Sequence, residues 1–371
     1  SHTFWVAVWK DPGTGLVPAE GVIPTVTLID RNGDPVPIGD WDGTCKTTGT
    51  NAAGKCDVTI DSGQPGPISI SATASIEVLQ GLFVTRSTDG EIGNSLDATK
   101  LYVDATLDLA DSGLAPIGED YIVTATVMKN VGQFYDENDP TLGYEPAEGV
   151  EVTFDITGPT GSLTIKENTC EINATNGTTG TDTNGQCTLT FTSSSAGTFQ
   201  IVASSTVDVE GLPIALSANS VSVSFVTGSI TLQSAFESLE INDQQTLTAS
   251  VTSDGGAGSV PAVNVPVIIT LTDMFTASSV PSGGSCATPV AGFPGQYSGI
   301  TDSVGECTLI FSSGSAGTVT GNASADLTFN GTTIPLTSND VLVTFVSDNI
   351  TILPNGETHA VGDAQTFTVT V

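Results

Sequence analysis

Basic residues are almost missing from this chain: 8 Lys+Arg stand against 41 Asp+Glu, a formal net charge of −33. From Glu167 to Val371 there is no Lys or Arg at all. Binding nucleic acid requires a basic footprint to displace phosphate counterions, so nucleic acid is excluded as a natural partner. Anionic membrane surfaces are disfavoured for the same reason. Histidine is nearly absent too; His2 and His359 lie close to opposite ends of the chain. No Ser-His-Asp or Cys-His arrangement can therefore be assembled inside any internal repeat. No apolar run is long enough for a membrane-spanning helix, so no direct membrane insertion is expected. No apolar leader opens the chain, which puts the export signal outside this stretch. No sustained apolar stripe of helical period occurs, and helices should be scarce.

What is present repeats. Thr181-Asp-Thr-Asn-Gly185-Gln-Cys187-Thr-Leu-Thr-Phe191, followed by Ala196-Gly197-Thr198, has two siblings. They are Thr50-Asn-Ala-Ala-Gly54-Lys-Cys56 with Gly66, and Thr301-Asp-Ser-Val-Gly305-Glu-Cys307 with Gly317. The later Gly falls ten residues after the Cys each time. A polar turn closing on Gly, an alternating strand, then a second turn and strand is the pattern of a β-hairpin. The six cysteines fall two per repeat, as Cys45/Cys56, Cys170/Cys187 and Cys286/Cys307, without CxxC spacing or His partners. That pattern predicts three local disulfides rather than a thiolate metal site, each stapling the base of a variable loop. Disulfides imply an oxidising compartment, hence an extracellular or cell-surface location.

Val8, Val127, Val251 and Val371 end corresponding strand-like segments and are separated by 119, 124 and 120 residues. This period divides the chain into repeat 1 (residues 1–105, first strand missing), repeat 2 (106–228), repeat 3 (229–348) and the first strands of a fourth (349–371). No Gly/Ser linker separates the repeats, so the last strand of one should run almost straight into the first of the next. The expected object is all-β: tandem immunoglobulin-like antiparallel sandwiches forming an extended rod. A window onto a longer array is the expected reading of the two ends. Strand donation between molecules is the rival, and the duplicated second strand at the C-terminus speaks against it.

The run Pro146-Ala-Glu-Gly-Val150-Glu-Val-Thr-Phe154, the Thr-Asp-x-x-Gly-x-Cys turn, Ala-Gly-Thr and Val-x-Ala-Ser together resemble the bacterial Ig-like (Big-1-type) repeats of invasin- and intimin-like surface proteins. The resemblance extends over essentially the whole chain. It implies Ig-like sandwiches in long arrays on cell surfaces or in fibres, acting as stalks or presenting an adhesive tip. A regular disulfide in every repeat departs from that family.

Candidate sites for chemistry are few. Asp30-Arg-Asn32-Gly-Asp34 imitates half of an EF-hand loop, but Pro35 stands where Gly is needed, and a β-turn is expected. Asp136, Asn138 and Asp139 crowd oxygen ligands into one insertion and form a calcium candidate. The acid pair Glu148/Glu151 has no counterpart in repeat 3 and reads as solvated surface. Asn173, Asn176, Asn322, Asn330 and Asn349 lie in Asn-x-Ser/Thr sequons and are glycosylation candidates. Trp5 and Trp9 share a strand face, with core packing the expectation. The sequence thus describes a non-enzymatic extracellular structural protein, a segment of a cell-surface stalk or filament. Its partners would be neighbouring repeats or copies of itself, and no cofactor beyond calcium is implied. The alternative is an adhesin that contacts a receptor or glycan through its variable disulfide-flanked loops.

Overall fold

The computed structural model describes residues 1–36, 40–110, 112–132, 143–173, 177–353 and 356–371. The described chain is all-β, with a 3-10 turn at Thr44–Lys46 and no α-helix. Period-two alternation drives the strands. Gly197–Val209 buries Phe199, Ile201, Ala203, Val207 and Val209 on one face, while Thr198, Gln200 and Ser204 meet solvent on the other. Such a segment can satisfy its backbone only in a sheet and its apolar face only against a second sheet.

The middle unit shows the plan. One sheet orders Asp104–Leu109, Tyr121–Asn130, Gln186–Ser193 and Leu163–Asn168. The facing sheet contains Val152–Thr157, Gly197–Val209 and Val221–Val226, with Leu212–Ser217 beyond. The first strand then crosses over: Gly113–Pro116 leaves its own sheet and pairs in parallel with the final strand, Gly113 opposite Val223. Between the sheets, Phe191, Phe199 and Phe225 stack edge to face with ring centroids 5.8–6.4 Å apart. The third unit repeats this arrangement. Val267, Ile269, Leu309, Phe311, Val343 and Phe345 fill its core, and Ser238–Glu240 makes the parallel crossover.

The first unit has the same two sheets but fewer strands. His2–Ala7 pairs with Lys55–Ile60, and Thr25–Ile29 and Ala98–Tyr102 flank Gly66–Leu79. Its core holds Leu28, Trp41, Val58, Ile68 and Ile70. Trp5 and Trp9 do not join it, contrary to the expectation from their shared face. They are 64% and 46% exposed, because the opposite face of that strand, Val6 and Val8, is the one turned inward.

No linker intervenes between the second and third units. The single strand Val221–Ser234 pairs through Val221–Phe225 with Gly197–Ile201, and through Thr227–Ser234 with Leu247–Asp254. One continuous strand therefore belongs to both sandwiches. At the C-terminus, Thr351–Leu353 pairs with Thr368–Thr370, and every residue of both strands is exposed.

Candidate functional site: the disulfide-stapled turns and the joints between units

The repeated Thr-Asx turn is a structural latch. Thr181 is fully buried; its hydroxyl accepts the Val150 N–H at 2.9 Å and donates to the Ala147 carbonyl. Thr50 does the same with Val22 N–H (2.9 Å) and Ala19 carbonyl (2.5 Å), and Thr301 with Val265 N–H (2.9 Å) and Ala262 carbonyl (2.6 Å). The two motifs that mark each repeat, Pro-Ala-x-x-Val and Thr-Asx-x-x-Gly, are therefore bonded to each other. The next residue closes the turn: Asp182 Oδ1 accepts the N–H groups of Asn184 (2.8 Å) and Gln186 (2.9 Å). Those two bonds, Gln186 foremost, hold its carboxyl below the ordinary aspartate range. Gly185, at φ 72°, is obligatory here: a Cβ would lie 2.3 Å from the Val127 carbonyl oxygen.

Disulfides join Cys45–Cys56, Cys170–Cys187 and Cys286–Cys307, with Cα atoms 4.9, 5.0 and 5.6 Å apart and the cysteines buried. The described residues contain no free cysteine. Each bridge fixes the base of a loop to the strand that follows the latch. In the first loop Thr44 donates its hydroxyl to Asp57 Oδ1 at 2.5 Å, and that bond keeps Asp57 ionised to lower pH than usual.

Glycines make the joints. The turn after the second strand of each unit is organised by an Asx side chain: Asn130 Oδ1 accepts from Gly132 N–H, and Asp254 Oδ1 from Gly256 N–H and Gly258 N–H. Each turn presents one glycine to the preceding unit. A Cβ on Gly132 would lie 2.6 Å from the Tyr102 carbonyl oxygen and 3.0 Å from Gly66 N. A Cβ on Gly256 would lie 2.5 Å from Gly197 Cα. Gly66 and Gly197, which follow Cys56 and Cys187 by ten residues, thus receive the next unit's turn, a role their spacing alone did not disclose. At the first joint Tyr144 adds a hydroxyl donated to Asp104 Oδ2 at 2.5 Å; burial, then this bond, raises the phenol's pKa well above its usual value.

The remaining candidates stay dispersed. Asp30 Oδ1 accepts the N–H groups of Asn32 (2.8 Å) and Asp34 (2.9 Å), which makes its segment an Asx turn. Glu148 and Glu151 are exposed. Asp136, Asn138, Asp139 and Asn176 lie outside the described residues. Asn173 and Asn322 are half-buried in strands, whereas Asn330 and Asn349 are exposed. Among the described residues no group of three or more His, Cys, Asp or Glu converges as a metal site would require. No described helix is long and apolar enough to cross a membrane.

No family model matches the chain, and neither does any curated protein. Among solved structures, similar chains include bacterial adhesins. FdeC, an Escherichia coli adhesin, shares 13% identity over 89% of this chain and 88% of its own, with a TM-score of 0.31. Invasin, a bacterial integrin-binding protein, shares 16% over 97% of this chain and 64% of its own, at 0.28. The D0-D1 domain of intimin shares 20% over 64% of this chain and 96% of its own, at 0.21. At such identities and TM-scores none of these likenesses says what this chain binds.

Proposed function

We propose that the chain is a non-enzymatic, load-bearing segment of an extracellular Ig-like array, a stalk or filament whose units are joined end to end. The observation that carries this reading is the strand Val221–Ser234, shared by two sandwiches, with the Gly197–Gly256 contact closing the same joint. Pulling along such a strand loads the hydrogen-bond ladders of both sheets together. The disulfides suit an oxidising exterior, where thiol reductants do not reach them. The repeats, residues 1–105, 106–228 and 229–348, serve as the mechanical units, with 349–371 opening a fourth. Electron microscopy of the native assembly tests this: units in line along a fibre or stalk are expected, and compact clusters would reject it.

A second reading, adhesion through the disulfide-flanked loops to a surface receptor or glycan, is favoured by the third loop. There Phe293 is 59% exposed in the turn between Thr288–Pro289 and Gln296–Ile300. Receptor or glycan binding by the intact chain that Phe293→Ser abolishes would support it; unchanged binding would remove it.

A further inference from the structure

Each unit carries a hairpin of the same build, and the tip of the third has a chemistry of its own. In the first unit Leu79 pairs with Leu82 around Gln80-Gly81; in the second Val209 pairs with Leu212 around Glu210-Gly211. In the third Phe329 pairs with Thr332 around Asn330-Gly331. The backbone is kept: Glu210 and Gly211 stand at φ 54° and 80°, Asn330 and Gly331 at 44° and 94°. Two successive positive φ values make the two-residue turn that suits a twisted hairpin. Of the three tips, this one alone reads Asn-x-Thr, because Thr332 replaces the leucine of the other two.

Placement separates Asn330 from the other sequons. Asn173 and Asn322 are half-buried in strands, Asn322 opposite Thr270, and a strand interior does not offer its amide to an enzyme. Asn349 is exposed but lies outside the described strands. Asn330 is exposed at the end of a hairpin, and a Cβ on the adjacent Gly331 meets nothing within 4 Å, so the tip is open to approach. Residues directly opposite across a hairpin share a face, which puts the Phe329 ring beside Thr332 at the foot of the turn. Phe329 is itself half-buried, packed on the core of the unit, and so is held in place.

A groove of about 520 Å³ leads away from that ring. Pro261, Val263 and Pro266 line it opposite Leu327 and Phe329, and Asn264 and Asp326 add polar groups. The first two units carry Glu20 and Glu148 where this one has Val263, and Glu151 stands where it has Pro266. Carboxylates are thus withdrawn from this groove in a chain of net charge −33, leaving Asp326 as the one acid in the lining. Asn264 takes the place of Gly21 and Gly149 and keeps their left-handed backbone, φ 61° against 77° and 72°. An amide stands there at the conformational cost that glycine avoids. Apolar faces interleaved with a few neutral polar groups suit an uncharged sugar, whose C–H face rests on rings while its hydroxyls bond at the edges.

We propose that Asn330 carries an Asn-linked oligosaccharide whose first sugars seat on Phe329 and in this groove. The donor is an oligosaccharide held on a lipid diphosphate. Asn330 Nδ2 attacks its anomeric carbon; the N–C bond forms as the C–O bond to the diphosphate breaks. The diphosphate leaves with the electron pair, and the amide nitrogen gives up one proton. The inference rests on the extracellular placement of the array reading, but the absence of a glycan would leave the joints between units intact.

Peptide mapping by mass spectrometry of the protein recovered from its native surface tests the site. Asn330 should carry the glycan mass, and amidase release in heavy-oxygen water should convert it to labelled aspartate. Asn330 found only as the free amide overturns the proposal, as does a glycan on Asn349 with Asn330 bare. The seat is tested on the intact chain secreted from a host that glycosylates Asn, melted before and after enzymatic release of the glycan. Release should lower the melting point of the third unit by a few degrees. Phe329→Leu restores the residue that the first unit has at Leu79 and should remove that difference, whatever it does to the melting point itself, since each variant is compared with its own released form. An equal difference with and without the ring overturns the seating on Phe329.

Discussion

If the joints are held by glycine contact, one added methyl group should loosen a joint without unfolding either unit. Gly256→Ala and Gly258→Ala make a matched pair for this. Both glycines are exposed, both accept the same turn at φ 104° and 102°, and both donate their N–H to Asp254 Oδ1. The backbone penalty for an L-residue at such φ, about 1–2 kcal/mol, is common to the two variants. They differ in what the methyl meets. At Gly258 there is nothing within 4 Å, whereas at Gly256 it would sit 2.5 Å from Gly197 Cα in the preceding unit.

Carbon atoms rest about 3.5–4.0 Å apart, so the Gly256 methyl demands that the turn and Gly197 separate by about 1 Å or more. Gly197 is buried backbone at a strand start and cannot swing aside as a flexible side chain would. The displacement must therefore fall on the joint. The continuous strand Val221–Ser234 still tethers the units, but the contact that fixes their angle is gone. Small-angle scattering is the assay, with a thermal melt to confirm that both variants lose similar stability. Gly256→Ala should broaden the pair-distance distribution relative to the parent chain, and Gly258→Ala should reproduce the parent. Superimposable profiles for all three proteins would refute glycine contact as the determinant of the joint.

Two further outcomes follow from the latch and the bridges. Replacing Cys170 and Cys187 together by serine opens a loop of 17 residues, which loop-closure entropy values at about 3 kcal/mol; chemical denaturation of the second unit should register that loss, and no change would mean the loop stays ordered without its bridge. Thr181→Val keeps the shape but strips partners from the Val150 N–H and Ala147 carbonyl, for an expected loss of about 2–3 kcal/mol by the same measurement, while an unaltered midpoint would show that water replaces the hydroxyl.

Much of the fold was legible because its determinants are local. Alternation in Gln186–Ser193 and Gly197–Val209 marks strands, and Thr-Asx-x-x-Gly marks a turn that no other local chemistry satisfies as well. Cysteine spacing pointed to pairs within a repeat for the same reason. The joints were hidden because they are long-range. Gly66 and Gly197 were visible as recurring residues, but a recurring glycine does not announce whether it turns the chain or admits a neighbour. The Trp5/Trp9 expectation failed on a similar point: alternation says that one face of His2–Ala7 is buried without saying which, and Val6 and Val8 outcompeted the larger rings. Bulk favours the core only when the opposing sheet leaves room for it.

Departures from the repeat pattern are what distinguish one unit from the next. Positions that repeat faithfully, such as Thr50, Thr181 and Thr301, build each unit and would be the same in any array. Arg86 departs from this fidelity, standing opposite Ala74 where the second unit sets Leu216 opposite Ser205 and the third sets Leu336 opposite Ala325. The cations as a whole are unevenly shared: six of the eight precede residue 101 and none follows Lys166, so units with no positive charge to offer one another resist side-by-side association at low salt.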